Sequence, residues 1–553
     1  MLKFIAAAVI SGLLLALGWP SHGFPILLFF GFIPLLFLEH RISKDETVRK
    51  KGRKIFWLSF LAFSVWNGIG IWWLHNAQET NAAGELHDSW ISFGFPVLFN
   101  ATLMSLVFLI FHKVKTRTSV CVGLIFLSAI WMSFEKLHLW WQMTWPWFNL
   151  GNGFANYPKW IQWYEYTGTF GGTLWILGGN LIMFWLLNRR IESKKTKYSK
   201  QFALFALLWI GLPIGISFLI FNNYKEKGNP ITAIALQPKL DPYTEKYSID
   251  SFDIVDDLIV LARQRMTPEV DFVVAPETAF PGSGPGLNVD RLPADLLVQN
   301  IQRGFSEFPE LSFVSGVELM RFYPYEKLAT ETAARWGNSD TWYDVMNAGI
   351  QINKRDSIQY YYKSKLVAGV EHFPYMTVLK PVLGDLMLNF GGTVRTHLTQ
   401  KERFVFVNSF NPAKVAPIIC YESVYGEFTT DYVKKGANVL FIMTNDSWWG
   451  DSDGHVQLFL YGNLRAIETR RDIVRSANSG ISAFINQRGE VVSSLPYDTK
   501  GALIGRAYLN DDPTFYTKHG DYLARLGIIT MVILLIYSII KPKLKPKEKK
   551  KGI

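Results

Sequence analysis

Long apolar runs occupy residues 4–18, 24–39, 55–75, 92–112, 119–138, 168–187, 203–221 and 523–540. Several reach the roughly 20 residues that a helix needs to cross a bilayer core of about 30 Å. The first is short, with Lys3 before it and Gly18-Trp19-Pro20 after it, so it also resembles a signal peptide. A second apolar run follows after only a tight turn, which favours a retained helical hairpin. Residues 229–510 have a different rhythm, in which short apolar runs alternate with helical periodicity. Strands are predicted at Ile231–Leu236, Asp271–Ala275, Leu311–Gly316, Ala348–Ile352, Ile358–Tyr362, Phe404–Val407, Val415–Ile419 and Val439–Met443. Helices are predicted at Phe252–Arg265 and Gln457–Arg471, and Asn486-Gln487-Arg488-Gly489 between two strand-like runs predicts a hairpin turn.

These patterns divide the chain. Residues 1–221 read as a multi-pass α-helical membrane domain of about seven spanning helices. Residues 222–522 read as a layered α/β domain, whose patterned part of about 280 residues is enough for its own core. A last spanning helix covers 523–540, and a basic tail covers 541–553.

Composition agrees with a membrane protein: 49% of residues are hydrophobic and 15% aromatic, and the 19% charged falls below the roughly 25% of a soluble protein. The net charge of +11 fits nucleic acid or a membrane, and its placement decides. Lys and Arg crowd the loops at 41–54, 113–117 and 189–200 and the tail after 540, whereas 19–23 and 76–91 hold none and 139–167 holds only Lys159. By the positive-inside rule both termini are cytoplasmic and 222–522 lies outside. The charge is thus mostly a topology signal, and nucleic acid is not an expected partner. Trp72, Trp73, Trp140, Trp141, Trp145, Trp147, Trp160 and Trp163 gather on the outer side, either as an interfacial belt or as a segment shaping a lipid entrance.

Chemistry centres on Pro417-Ile418-Ile419-Cys420-Tyr421-Glu422-Ser423, where a buried strand turns into a helical pattern. Such a turn holds a nucleophile beside free backbone N–H groups. A buried structural thiol fits the spacing equally well. Only two cysteines are present, and the predicted topology puts Cys121 across the bilayer from Cys420, too far for a disulfide. Val273-Val274-Ala275-Pro276-Glu277 ends a strand in a carboxylate, and Tyr360-Tyr361-Tyr362-Lys363 ends one in a lysine. Sites in α/β sheets gather beyond the carboxyl ends of strands, so these three types can converge. Glu277 then serves as general base to Cys420, while Lys363 and the Tyr421 N–H stabilise an oxyanion. His372 and His455 lack the companions of a metal site, and no glycine-rich phosphate loop follows a strand, so no metal or cofactor is expected.

Glu277, Lys363 and Cys420, in this order and these contexts, resemble the Glu-Lys-Cys triad of the nitrilase (carbon–nitrogen hydrolase) superfamily. With the membrane helices, the chain resembles the apolipoprotein N-acyltransferase family over almost its whole length. Asn445-Asp446-Ser447-Trp448-Trp449-Gly450, Arg465–Arg470, Ala477–Ser482, and Glu135 with Trp145-Pro146-Trp147 and Gly151 are similar to that family's blocks. The resemblance implies an αββα sandwich. It implies transfer of an acyl chain from a phospholipid, through a cysteine thioester, to the α-amino group of an S-diacylglyceryl-cysteine that begins an apolipoprotein. It further implies a monomer in the bacterial inner membrane with its catalytic domain outside. Glu371 matches a second essential acid, Tyr421 and Glu422 flank the nucleophile, and Asn445, Trp448, Tyr247 and Trp147 are implied pocket residues. The chain departs from the family at Lys365–Glu371, where His-Leu-Val-Pro-Phe-Gly-Glu is usual, at Gly454–Leu458, and at Tyr247, where tryptophan is common. A membrane-tethered amidase would use the same triad with water as acceptor. A transporter or receptor would leave the triad unexplained.

Overall fold

The computed structural model describes residues 1–80, 85–281, 286–376, 378 and 396–541. The basic tail beyond residue 541 lies outside them. Every long apolar run is helical: Leu2–Leu17, Ile33–Lys44, Lys51–Gly70, Trp90–Arg117, Val120–Leu137, Thr169–Ser193, Lys197–Asn223 and Tyr522–Ile540. Among the described residues, six spans are long and apolar enough to cross a membrane: Pro25–Lys44, Trp90–Arg117, Val120–Leu137, Thr169–Ser193, Lys197–Asn223 and Tyr522–Ile540. Leu2–Leu17 is apolar but shorter. Polar side chains inside this bundle are satisfied locally, as apolar surroundings require. Asn100 donates to Asn67 at 2.6 Å, and Asn180 accepts from the Phe32 N–H at 2.8 Å.

The tryptophan-rich loop at 139–167 is compact. It folds into short 3₁₀ turns at Pro146–Phe148, Leu150–Phe154 and Pro158–Trp160, and buries Trp147, Phe148 and Phe154 in the core. Glu135 fixes this turn. It accepts from the Leu150 N–H at 2.8 Å and from Thr173 Oγ1 at 2.7 Å. Gly151 is obligatory there, since a Cβ would come within 1.9 Å of the Thr169 carbonyl oxygen.

The α/β part has eleven main strands: β1 Pro230–Gln237, β2 Phe272–Ala275, β3 Ser312–Tyr323, β4 Trp342–Ile352, β5 Gln359–Tyr362, β6 Lys414–Ile419, β7 Val439–Thr444, β8 Ile473–Ala477, β9 Ser482–Ile485, β10 Val491–Leu495 and β11 Gly501–Tyr508. One sheet runs β11-β1-β2-β3-β4, with β5 on β4; the other runs β6-β7-β8-β9-β10. The β1-β2-β3 and β6-β7-β8 pairs are parallel, so β2 and β6 both point their carboxyl ends toward one rim. Strand alternation makes the layers. In β1, Ile231, Ala233 and Ala235 join the core between the sheets, while Ile234 and Leu236 join the core under helices Ser251–Arg263 and Leu296–Gly304. Phe272 of one sheet meets Phe441 of the other at 5.2 Å. Helices Gly426–Lys434 and Asp453–Thr469 flank the second sheet. The result is an αββα sandwich.

The predicted strands are all present, and the predicted hairpin turn joins β9 to β10 with Gly489 at φ 76°. The β3–β4 hairpin is longer than predicted, because its outer half carries Glu318, Arg321 and Asp344 and breaks the apolar run. One apolar core continues from the helical bundle into the sandwich. Lys136 of the bundle pairs with Asp521 at 2.7 Å and with Glu427 of the sandwich.

Candidate active site

Glu277, Lys363 and Cys420 each lie just past a strand end. Glu277 follows β2 by a turn that β3 holds: the Ala279 N–H donates to the Gly316 carbonyl at 2.8 Å, and the Gly316 N–H donates to the Pro276 carbonyl at 3.0 Å. Lys363 follows β5, and its N–H donates to the Asn347 carbonyl on β4 at 2.8 Å. Cys420 follows β6 at φ 47°, a left-handed conformation costly for a residue with a Cβ. A 3₁₀ turn, Cys420–Val424, begins there.

Glu422 holds that turn in place. Its carboxylate accepts from the Ile419 N–H at 3.0 Å, the Ser364 N–H at 2.7 Å and the Tyr361 hydroxyl at 2.7 Å. It therefore ties the Cys420 turn to the Lys363 strand end. It is fully buried, and burial, partly offset by these bonds, raises its pKa.

Lys363 Nζ bridges Glu277 Oε1 and Glu371 Oε1, each at 2.8 Å. Asn347 Nδ2 bridges the same two oxygens at 2.8 and 2.9 Å. Two donors thus saturate Glu277 Oε1, while Oε2 accepts only from the Asn445 N–H at 3.0 Å. A carboxylate oxygen has two lone pairs, so Oε2 is the atom of Glu277 left able to take a proton. Glu371 is held in the same pattern, with Lys363 and Asn347 on its Oε1 and the Val367 N–H donating to its Oε2 at 2.8 Å. Sharing the Lys363 ammonium with Glu277, it helps to orient that lysine.

Burial alone would lower the Lys363 pKa, but Glu277 and Glu371 overcome it and hold the pKa well above the ordinary lysine value. Burial pushes Glu371 up, and Lys363 outweighs this, so Glu371 stays below the usual carboxylate range. Burial, and then the Glu277 charge, raise the Cys420 pKa. The thiol is therefore protonated at rest and needs a base, not merely a solvent proton sink.

These groups wall a cavity of about 210 Å³. Glu277, Lys363, Glu371, Cys420 and Tyr421 line it, as do Asn445, Trp448, Tyr247 and Trp147. Glu422 is not among the residues that line it. The nucleophile is shielded from bulk solvent, 7% exposed, rather than held open at the surface. Cys121 is a free, exposed thiol elsewhere. Seven of the wall residues come from the membrane part: Trp73, Leu74, Ala77, Ser92, Pro96, Trp145 and Trp147.

Lys365 points away from the triad. Its Nζ donates to the Leu139 carbonyl at 3.0 Å and lies 4.9 Å from the Tyr425 ring centroid, joining the two parts of the molecule. His455 stacks on Tyr497 at 4.3 Å. Among the described residues no cluster has the make-up of a metal site.

Sequence reasoning missed Asn347 and Lys246. A lone amide inside the apolar run Val345-Met346-Asn347-Ala348 is a signal that was available for the first. Lys246 is buried behind Glu277, donating to its carbonyl at 3.2 Å and to Thr278 Oγ1 at 2.6 Å. Burial lowers its pKa to about 8. Nothing in its polar surroundings, Thr244-Glu245-Lys246-Tyr247, announced that burial.

The chain is similar to known proteins in two blocks. Residues 11–182 match the family model of the apolipoprotein N-acyltransferase N-terminal domain, and residues 251–511 match that of carbon-nitrogen hydrolase. An apolipoprotein N-acyltransferase of Chlorobaculum tepidum is 26% identical over 541 residues, covering 95% of each chain. One of Thermotoga maritima is 24% identical over 540 residues, covering 96% of this chain and 93% of its own. Among solved structures, Nit3 of Saccharomyces cerevisiae, a member of branch 10 of the nitrilase superfamily, covers 52% of this chain and 93% of its own at 13% identity and a TM-score of 0.35. With both blocks in order and relatives aligned from end to end, the chain belongs to the apolipoprotein N-acyltransferase family.

Proposed function

We propose that this membrane enzyme acylates the α-amino group of the S-diacylglyceryl-cysteine at the start of an apolipoprotein, with a phospholipid as acyl donor. Glu277 Oε2 takes the Cys420 proton as Sγ attacks an ester carbonyl of the lipid. The oxyanion forms between Lys363 Nζ and the Tyr421 N–H. When the tetrahedral adduct collapses, the C–O bond breaks, Glu277 protonates the departing lyso-lipid oxygen, and a thioester remains on Cys420. In the second half, the amine attacks the thioester and gives its proton to Glu277. The C–S bond breaks, the amide is formed, and the proton returns to Sγ. A thioester is a better acyl donor to an amine than an oxygen ester, which is the reason for two steps.

One observation carries the reading: a Glu-Lys-Cys cluster opens into a cavity whose other side is walled by apolar and aromatic residues of the membrane part, among them Trp73, Pro96, Trp145 and Trp147. A soluble amide needs no such wall. In this reading residues 1–221 and 523–540 embed the enzyme in the bacterial cytoplasmic membrane, residues 222–522 lie outside, and it works as a monomer.

The test is the covalent intermediate. Purified enzyme given phospholipid alone should gain one acyl mass on Cys420 and none on Cys121, removable by neutral hydroxylamine. A diacylglyceryl-cysteine peptide should discharge it into an N-acyl product. Cys420→Ala should give neither, and Glu277→Gln should not charge. Product from Cys420→Ala would refute the nucleophile, and discharge only to water would make the protein an amidase.

A further inference from the structure

Three tryptophans form a row on the membrane side of the cavity. Trp147 is central, with ring centroids 5.1 Å from Trp73 and 6.0 Å from Trp145. Its indole N–H is used, donating to Gln457 Oε1 at 2.6 Å. The indole N–H groups of Trp73 and Trp145 are shielded from solvent and have no hydrogen-bond partner among the described residues. Trp73 is 3% exposed, and its ring is clamped by Trp449 at 4.6 Å and by Trp147, so it cannot swing away to find one. A buried indole N–H normally finds an acceptor, and an unpaired one is a penalty that phenylalanine at the same place would avoid. Both rings line the cavity, so a bound molecule can supply the acceptors.

The wall also says which acceptor. From Trp73 to Pro96, and at Trp145 and Trp147, it contributes no Lys or Arg. A phosphate there would lose its hydration without meeting a counter-charge. A neutral ester carbonyl meets a neutral donor, and the indole ring beside it packs against an acyl chain.

On the acyl-transfer reading, on which this inference rests, the cavity takes two substrates in turn. Both carry one unit in common, a glycerol bearing two fatty-acyl esters. We infer that Trp73 and Trp145 form a glycerol-ester subsite, whose two indole N–H groups hold the carbonyl oxygens of acyl esters that are not broken. The same subsite then serves both half-reactions. It holds the lipid donor while its other ester is attacked, and it holds the diacylglyceryl acceptor while its amine attacks.

The test exchanges carbonyls on the ligand against N–H groups on the enzyme. Full-length enzyme is given a diester phospholipid, and in parallel two mono-ether phospholipids with the ether at one or the other glycerol position. Acylation of Cys420 is timed by intact mass. The mono-ether that still charges Cys420 has lost only the unbroken carbonyl. It should react about tenfold more slowly than the diester, the scale of one hydrogen bond. Trp73→Phe and Trp145→Phe should each slow the diester, and in the double variant the ether penalty should fall toward onefold. Discharge should repeat the pattern when a dialkylglyceryl-cysteine peptide replaces the diacyl peptide. An equal ether penalty in wild type and double variant refutes the subsite. If the variants fail to fold, the wild type alone decides, since charging without an ether penalty refutes it too. A wild type that never charges Cys420 refutes the acyl-transfer reading and the subsite with it.

Discussion

Lys363 decides the charge balance of the site. Its ammonium touches both Glu277 and Glu371. Lys363→Ala should slow charging of Cys420 by at least the ~10²–10³-fold seen for one oxyanion donor. Lys363→Arg should rescue little, because a planar fork cannot take the place of a point charge between two oxygens. Lys365→Ala loses a contact to Leu139, not to the triad, and should be mild in single-turnover charging. Equal losses at 363 and 365 would overturn the assignment. Lys246 makes a second prediction. Burial holds its pKa at about 8 in the folded chain, against an ordinary 10.5. Between those values the unfolded chain binds a proton that the folded chain does not, so stability rises with pH from about 8 to about 10.5. Lys365 is lowered to about 8 as well and adds to the rise. Lys246→Met should flatten the rise relative to wild type, read as the melting temperature against pH. An unchanged slope would mean that Lys246 is charged and paired in the fold.

At the scale of elements, the site depends on how close β2 and β3 approach. A Cβ on Gly316 would come within 2.5 Å of Glu277 Cα and 2.8 Å of the Pro276 carbonyl oxygen. Backbone cannot retreat as a flexible side chain does, so Gly316→Ala moves Glu277, the proposed general base. Overpacking of this kind costs about 1–3 kcal/mol of stability. A displacement of about 1 Å at the base costs more in rate, on the order of 10²-fold. Gly349 on β4 is the control. Its Cβ would meet the Met443 methyl at 3.1 Å, which can yield. Gly349→Ala should keep near-normal charging of Cys420, and Gly316→Ala should not. Similar activities for the two would mean that the β2–β3 turn tolerates movement.

For the whole molecule, the question is how the sandwich sits on the membrane. The loops at 41–54, 113–117 and 189–200 carry the positive charge, and the alternate loops carry almost none. A reporter fused after Asn223 or before Tyr522 should therefore read as extracytoplasmic, and one after Arg190 as cytoplasmic. A cytoplasmic signal from 222–522 would refute both the orientation and the proposed substrate. The continuous core and the Lys136 pairs to Asp521 and Glu427 make the two parts one body.

The sequence by itself determined most of the elements and pointed to the proposed reacting groups. Apolar length marks the long helices, although six spans among the described residues, against about eight expected, are long and apolar enough to cross a membrane. Strand alternation fixes the two layers, and Glu277, Lys363 and Cys420 are legible because each ends an apolar strand. These are local properties, set by neighbours in the chain. Only the tertiary structure decided how those groups are used. That Oε2 is the less engaged oxygen of Glu277 depends on Lys363 and Asn347, which both donate to Oε1, from the end of β5 and from β4. That Glu371 orients Lys363, and that Glu422 binds one strand end to another, depend on contacts between segments far apart in sequence. The cavity depends most of all on assembly. Trp73 and Trp145 look like interfacial residues in a list of loops. Packing against Trp449 and Gln457 of the sandwich turns their part of the chain into the wall of a site, because burial is a property of the assembled surface and not of a residue type.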